Sequence, residues 1–170
     1  GVVLDKGVIP AIPEADYLVT AHVQTRNAEH ARASLTAYFV DSRGRKIDGS
    51  ISRTSFIRSE GQWASFHVML RGDYEDAAWI ILQLELLQPV KYMPDRFGKH
   101  ELLPSDLDAA AWFDDVVVYQ LPRIDITTDT PLNIVRAPER PAINMLVRDL
   151  TGEQLSARAT VQDMQGRTVD

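Results

Sequence analysis

The chain has no cysteine among its 170 residues. Disulfides, zinc–thiolate sites and thiol nucleophiles are thereby excluded. Long apolar runs are also missing. The longest, from Ala77 to Leu87, is interrupted by Gln83 and Glu85. It falls well short of the roughly 20 apolar residues that cross a bilayer as a helix, so no membrane insertion is expected. Basic charge is in the minority: 18 Lys and Arg stand against 24 Asp and Glu, for a net charge of −6. Nucleic-acid binders usually carry a basic face, so nucleic acid is not an expected partner. Catalytic signatures are missing as well. His22, His30, His67 and His100 occur at no H-E-x-x-H spacing, and neither a G-x-S-x-G elbow nor a phosphate-cradling glycine loop is found. The expectation is a protein that is not an enzyme. The first residue is Gly1, with no signal peptide ahead of it, which reads as a processed or excised piece of a longer chain.

Helical periodicity is scarce, whereas alternation with period two recurs. Tyr17, Val19, Ala21 and Val23 share one face, and Leu18, Thr20, His22, Gln24 and Arg26 the other. Leu35, Ala37 and Phe39 alternate with Ser34, Thr36, Tyr38 and Val40. Phe66, Val68 and Leu70 alternate with Ser65, His67 and Met69. Ile80, Leu82, Leu84 and Leu86 alternate with Trp79, Ile81, Gln83, Glu85 and Leu87. An apolar run from Ala111 to Leu121 carries two adjacent acids, Asp114 and Asp115. Hydrophobic residues make up 45% and charged residues 25%, near the globular average. Short strands punctuated by turns predict an all-β, antiparallel sandwich or barrel.

The turn chemistry agrees. Asp41-Ser42-Arg43-Gly44 places Asp where a hairpin turn begins and Gly where positive φ is wanted. Glu60-Gly61 and Arg71-Gly72-Asp73 mark further turns, and Pro89 to Pro104 reads as a long loop of the kind that often carries function. Pro122 cannot donate to a ladder and marks a boundary. Two domains are expected, 1–122 and 123–170. Beyond the boundary, Ile124 to Thr128, Ala142 to Val147 and Leu155 to Gln162 read as strands. The segment Asp41 to Asp48 resembles Asp163 to Asp170, which reads as convergence on one turn type. The chain runs back as a strand after the first turn and stops after the second, so the second domain is expected to be incomplete.

Four segments carry a resemblance. Ala15 to Ala21 followed by Val23-Gln24-Thr25, then Ala33 to Gly44 with its aspartate–glycine turn, then Gly61-Gln62-Trp63 with Phe66-His67-Val68, and then Ala111-Trp112-Phe113-Asp114-Asp115-Val116 occur in an order that resembles carbohydrate-binding modules of the β-jelly-roll type. The xylan- and glucan-binding modules are the most similar. The resemblance covers residues 15–121. The part from Ile124 onward resembles the opening strands of an immunoglobulin-like domain. The resemblance implies a jelly roll followed by a partial immunoglobulin-like sandwich. It also implies a polysaccharide or oligosaccharide ligand on the concave sheet, and attachment to a secreted or cell-surface bacterial polysaccharide-processing protein.

Alternation places His22, Gln24, Arg26, Tyr38, Gln83 and Glu85 on polar strand faces. Such residues suit a sugar: amides, carboxylates and guanidinium groups take its hydroxyls, and aromatic rings stack on its apolar faces. They are expected to line one groove, with Trp79 or Tyr92 as the stacking ring. A merely solvated sheet face explains the same alternation. Trp63 and Trp112 begin strands and are expected to cap the core. Asp114 and Asp115 are adjacent and so point to opposite faces. Asp114 shares its parity with Val116 and Val118, which predicts an inner-face carboxylate in need of a partner or metal. The resemblance implies that Asp114 binds a structural calcium ion, with Asp106 and Asp108 as candidate neighbours. Hydrogen bonding to loop amides is the alternative. The expected function is non-catalytic carbohydrate binding. A structural spacer or protein-interaction sandwich without a sugar ligand is the alternative, and a jelly-roll lyase or hydrolase with a carboxylate pair comes third.

Overall fold

The computed structural model describes residues 1–88, 106–129, 142–150, 152, 154–156, 158, 160, 162 and 165–168. Among the described residues it holds ten strands and no helix: β1 (Val2–Val3), β2 (Ile9–Pro10), β3 (Asp16–Arg26), β4 (Arg32–Val40), β5 (Ser52–Arg53), β6 (Ala64–Leu70), β7 (Trp79–Leu87), β8 (Ala110–Leu121), β9 (Arg123–Thr128) and β10 (Ile143–Arg148). The all-β, antiparallel architecture read from the alternation is the one observed. The chain divides into two compact units, Gly1–Leu121 and Pro122–Asp170.

The first unit is a sandwich of two antiparallel sheets. One runs β1–β7–β4–β5, with β2 also paired to β7, and the other runs β6–β3–β8. The long strands pair in a nested way. β3, the first of them, pairs with β8, the last, and β4 pairs with β7. The inner faces meet in one core that includes Tyr17, Val19 and Val23 of β3, Leu35 and Phe39 of β4, Phe66 and Leu70 of β6, and Ile80 and Leu82 of β7. These are the apolar positions of the period-two pattern. Burying one such Val, Leu, Ile or Phe side chain contributes about 1.5–3 kcal/mol. Tyr17 meets Phe39 across the sheets edge-on at 6.0 Å. Its hydroxyl accepts the Ile12 N–H at 2.7 Å, and burial pushes the phenol up from its ordinary pKa.

Phe66 and Phe113, on the strands flanking β3, stack at 6.5 Å. Ala21 pairs with Phe66 and is 1% exposed. Phe113 pairs with Val23, the next inward residue of β3, so the two rings meet over the inner face of this strand.

β8 carries a β-bulge. Thr20 pairs with Val117 and His22 with Asp114, leaving Asp115 and Val116 opposite Ala21 alone. Asp115 sits at φ 48, a left-handed conformation that Asp tolerates better than most residues. The extra residue reverses the parity of the strand. Phe113 faces the core before the bulge, and Val118 does so after it.

The turn read at Asp41–Gly44 forms as expected. Gly44 N–H donates to the Asp41 carbonyl at 2.9 Å, with Gly44 at φ 78. The Asp41 carboxylate accepts the amides of Arg43 and Arg45 and pairs with the Arg45 guanidinium. These contacts, led by the Arg45 amide, hold its pKa below the ordinary value. Two features of this turn recur among the described residues of the second unit. Val40 bridges Lys46, Gln162 bridges Thr168, and Gly166 repeats φ 78.

Two backbones approach closely at Gly72. Its N–H donates to the buried Asp16 carboxylate at 2.7 Å. A Cβ on Gly72 would meet the backbone of Ala15 far inside van der Waals contact.

In the second unit β9 and β10 form a two-stranded antiparallel ribbon. Ile124 pairs with Val147 and Ile126 with Met145, so one face is apolar. The strand expected from Leu155 to Gln162 is not seen as such: Leu155, Ser156, Arg158 and Thr160 lie outside strands, and Gln162 makes only an isolated bridge. The short strands β1, β2 and β5 lacked enough residues for alternation to reveal them.

Candidate functional site

The residues expected to share a groove divide between the two outer faces of the sandwich. Tyr38, Trp79, Gln83 and Glu85 lie on the outer face of the β1–β7–β4–β5 sheet. His22, Gln24 and Arg26 lie on the outer face of β6–β3–β8. The hydrophobic core separates the two sets, so they cannot contact one sugar together. Period two tells which residues share a face of one strand. It does not tell which sheet the strand joins. Tyr92 and the loop from Pro89 to Pro104, Pro104 included, lie outside the described residues.

On the first face the polar side chains engage one another. Glu85 Oε2 accepts from Ser34 Oγ at 3.5 Å and Thr36 Oγ1 at 3.3 Å, and pairs with Arg53 at 3.4 Å. Arg53 Nε donates to Thr36 Oγ1 at 2.7 Å. Gln83 Nε2 donates to the Tyr38 hydroxyl at 3.2 Å. The Lys46 ammonium lies over the Tyr38 ring, 4.5 Å from its centre. Trp79 pairs with Val40 on one side and Pro10 on the other and is half-buried. Ser34, Thr36, Arg53, Glu85, Gln83 and Tyr38 thus have side-chain partners on this face.

The second face is different. Across its rows, Leu18 pairs with Met69 and Tyr119, Thr20 with His67 and Val117, His22 with Ser65 and Asp114, and Gln24 with Trp112. Trp63 lies one residue beyond the paired part of β6, where continuing the register sets it beside Gln24. Trp63 is 50% exposed, Trp112 46% and Tyr119 50%. The expectation that Trp63 and Trp112 cap the core is therefore corrected: both are surface rings. The alternation itself held the signal for Trp63, which shares its parity with Ser65, His67 and Met69. For Trp112 the bulge concealed it, because parity counted back from Val118 pointed inward. Two strand spacings put the backbones of Trp63 and Trp112 about 10 Å apart.

The polar groups on this face are only partly engaged. Gln24 donates its amide to the Gly61 carbonyl at 2.5 Å, leaving its own carbonyl oxygen without a partner among the described residues. His22 Nδ1 lies 3.4 Å from Asp115 Oδ2 but is not aligned for a hydrogen bond. Arg26 is exposed and makes no ion pair among the described residues.

Asp114 is exposed and lies opposite His22, with its carboxylate accepting the Asp115 N–H at 2.8 Å. The expected inner-face position is corrected, and the bulge is the reason. Asp106 does not join it. Its carboxylate accepts the N–H groups of His30 and Ala31, each at 2.6 Å, and His30 Nδ1 lies 3.0 Å away. These contacts, with the Ala31 amide foremost, hold the Asp106 pKa below its ordinary value. Among the described residues no group of three or more His, Asp or Glu could hold a metal ion. No family model, no curated protein and no solved structure matches the chain.

Proposed function

We propose that this chain binds carbohydrate without catalysis, through the outer face of the β6–β3–β8 sheet, as an accessory module of a secreted or cell-surface polysaccharide-processing protein. The observation that carries the reading is the pair of half-exposed tryptophans, Trp63 and Trp112, set on either side of Gln24. Exposed indole rings present flat apolar surface for the axial C–H faces of sugar rings. His22, His67, Thr20 and Gln24 supply donors and acceptors between and beside the rings for sugar hydroxyls. The resemblance of the strand motifs to sugar-binding jelly rolls supports the same reading.

The test is affinity electrophoresis of the folded chain in gels containing soluble xylan, mixed-linkage β-glucan or hydroxyethylcellulose. One glycan should retard the wild type. Trp112→Ala should abolish the retardation, while Tyr38→Ala on the opposite sheet should keep it. Loss in Tyr38→Ala alone would move the site to the other face. No retardation by any glycan would favour a second reading, a spacer or protein-interaction sandwich. That reading draws on Met69 and Val117, exposed apolar residues on the same face as Tyr119, which would suit a protein partner.

A further inference from the structure

At the end of β3 the tryptophan-bearing face runs into a cleft of about 710 Å³. Three connections line it: Asn27–Glu29 after β3, Arg58–Gly61 before β6, and the turn Asp106–Asp108 before β8. The face and the cleft are continuous through shared residues. Arg26 is the last residue of β3 and lines the cleft. Gly61 lines it too, donates its N–H to the Thr25 carbonyl at 2.7 Å and accepts the Gln24 amide.

The walls are held firmly. Asp106 ties the turn before β8 to the loop after β3 through the amides of His30 and Ala31. Ser59 Oγ accepts the Thr25 N–H at 2.8 Å, and Thr25 Oγ1 accepts the Ser59 N–H at 2.9 Å, which fixes the second connection to β3. Arg58 pairs with Glu60 on its own connection and donates to the Glu29 carbonyl of the connection after β3 at 3.3 Å. Arg26, Glu29 and Asp108 are exposed at the cleft and form no ion pair among the described residues.

The chemistry of the lining differs from that of the face. None of the described lining residues is aromatic, and charges of both signs are present. A strongly anionic ligand would meet Glu29, Glu60 and Asp108, and a strongly cationic one Arg26 and Arg58. Carboxylates accept from neighbouring hydroxyls and guanidinium groups donate to them, so a neutral polyhydroxylated ligand is served by both. The volume lies within the range of small-molecule sites.

We infer that this cleft is a terminal subsite: it takes the end unit of a neutral glycan chain whose following units lie over Trp63 and Trp112. The inference rests on the carbohydrate reading above. Stacking on indole faces tolerates any position along a chain, whereas an open cleft bordered by three connections where β3 ends gives an end unit polar contacts that a unit over the sheet lacks. The module would accordingly prefer free chain ends over chain interiors.

The test is calorimetric titration of the full chain with cellohexaose, xylohexaose and laminarihexaose, and with the soluble polymer of whichever linkage binds. One hexasaccharide should bind one to one, and the polymer should saturate near one protein per chain. Arg26→Ala and Asp108→Ala should each weaken hexasaccharide binding roughly tenfold, equivalent to 1.4 kcal/mol. Both residues are exposed, so both variants should keep the wild-type circular dichroism spectrum. Several proteins per polymer chain, with the cleft variants binding as wild type and Trp112→Ala not binding, would overturn the terminal subsite and leave the carbohydrate reading standing. Cleft variants that lose binding while Trp112→Ala keeps it would overturn the continuous path. Absence of binding to all three hexasaccharides and their polymers by folded wild type would overturn both.

Discussion

Asp106 holds His30 from 76 positions along the chain, with one carboxylate oxygen on the His30 amide and the other on the ring nitrogen. Its side chain is 6% exposed, and its own N–H donates to Gln88 Oε1 at 2.9 Å. One carboxylate therefore joins the entry to β8 with the loop after β3. It also lines the cleft.

That relationship predicts a pH dependence. The folded pKa of Asp106 is held below its ordinary value of 3.8. A depressed folded pKa contributes stability that is complete above the ordinary value and is lost as pH falls through the lower folded one. Asp106→Asn should lower Tm at pH 7 by about 5 °C. Below about pH 4 its stability should fall less steeply with acid than that of wild type, because the ionisable partner is gone. Thermal melts from pH 2 to 7 measure both. Parallel curves for the two proteins would contradict the assignment.

Ala21→Leu should destabilise the first unit by about 1–3 kcal/mol through overpacking. The added side chain would enter a closed part of the core beside Phe66, where Ala21 is 1% exposed. Urea denaturation followed by tryptophan fluorescence gives the number. An unchanged midpoint would mean that the core beside Phe66 has room for a larger residue than Ala21.

Gly72→Ala should cost at least about 2 kcal/mol, since the new methyl group meets the Ala15 backbone rather than a movable side chain. The Asp16 hydrogen bond to the Gly72 amide should weaken with it, which hydrogen exchange at Gly72 would register as faster exchange. Equal exchange rates and equal stability would refute the close approach.

At the bulge, Asp115→Gly should be neutral or slightly stabilising, and Asp115→Val should cost about 1–2 kcal/mol, because a β-branched residue is strained in the left-handed region. Denaturant midpoints of the pair separate the backbone effect from loss of the carboxylate. Asp115→Asn, which tolerates the same φ, should match wild type.

Much of this protein could be read from local chemistry. Tyr17 to Thr25, Ala33 to Val40, Ser65 to Leu70 and Ala78 to Leu87 alternate in the sequence and are strands in the structure, because one buried face of a strand demands period two. Asp41 and Gly44 announce their turn because only a few residue types satisfy its backbone. The face carried by His22, Gln24 and Arg26 was equally legible, as was the outward parity of Trp63. Assembly decided the rest. Whether Tyr38 and His22 share a surface depends on which sheet each strand joins, and strand pairing is a long-range choice that alternation does not encode. The position of Asp114 depended on one extra residue in β8 opposite Ala21, a defect visible only once the partner strand sets the register. The cleft below Arg26 required three distant connections to converge, which only the packed sandwich brings about.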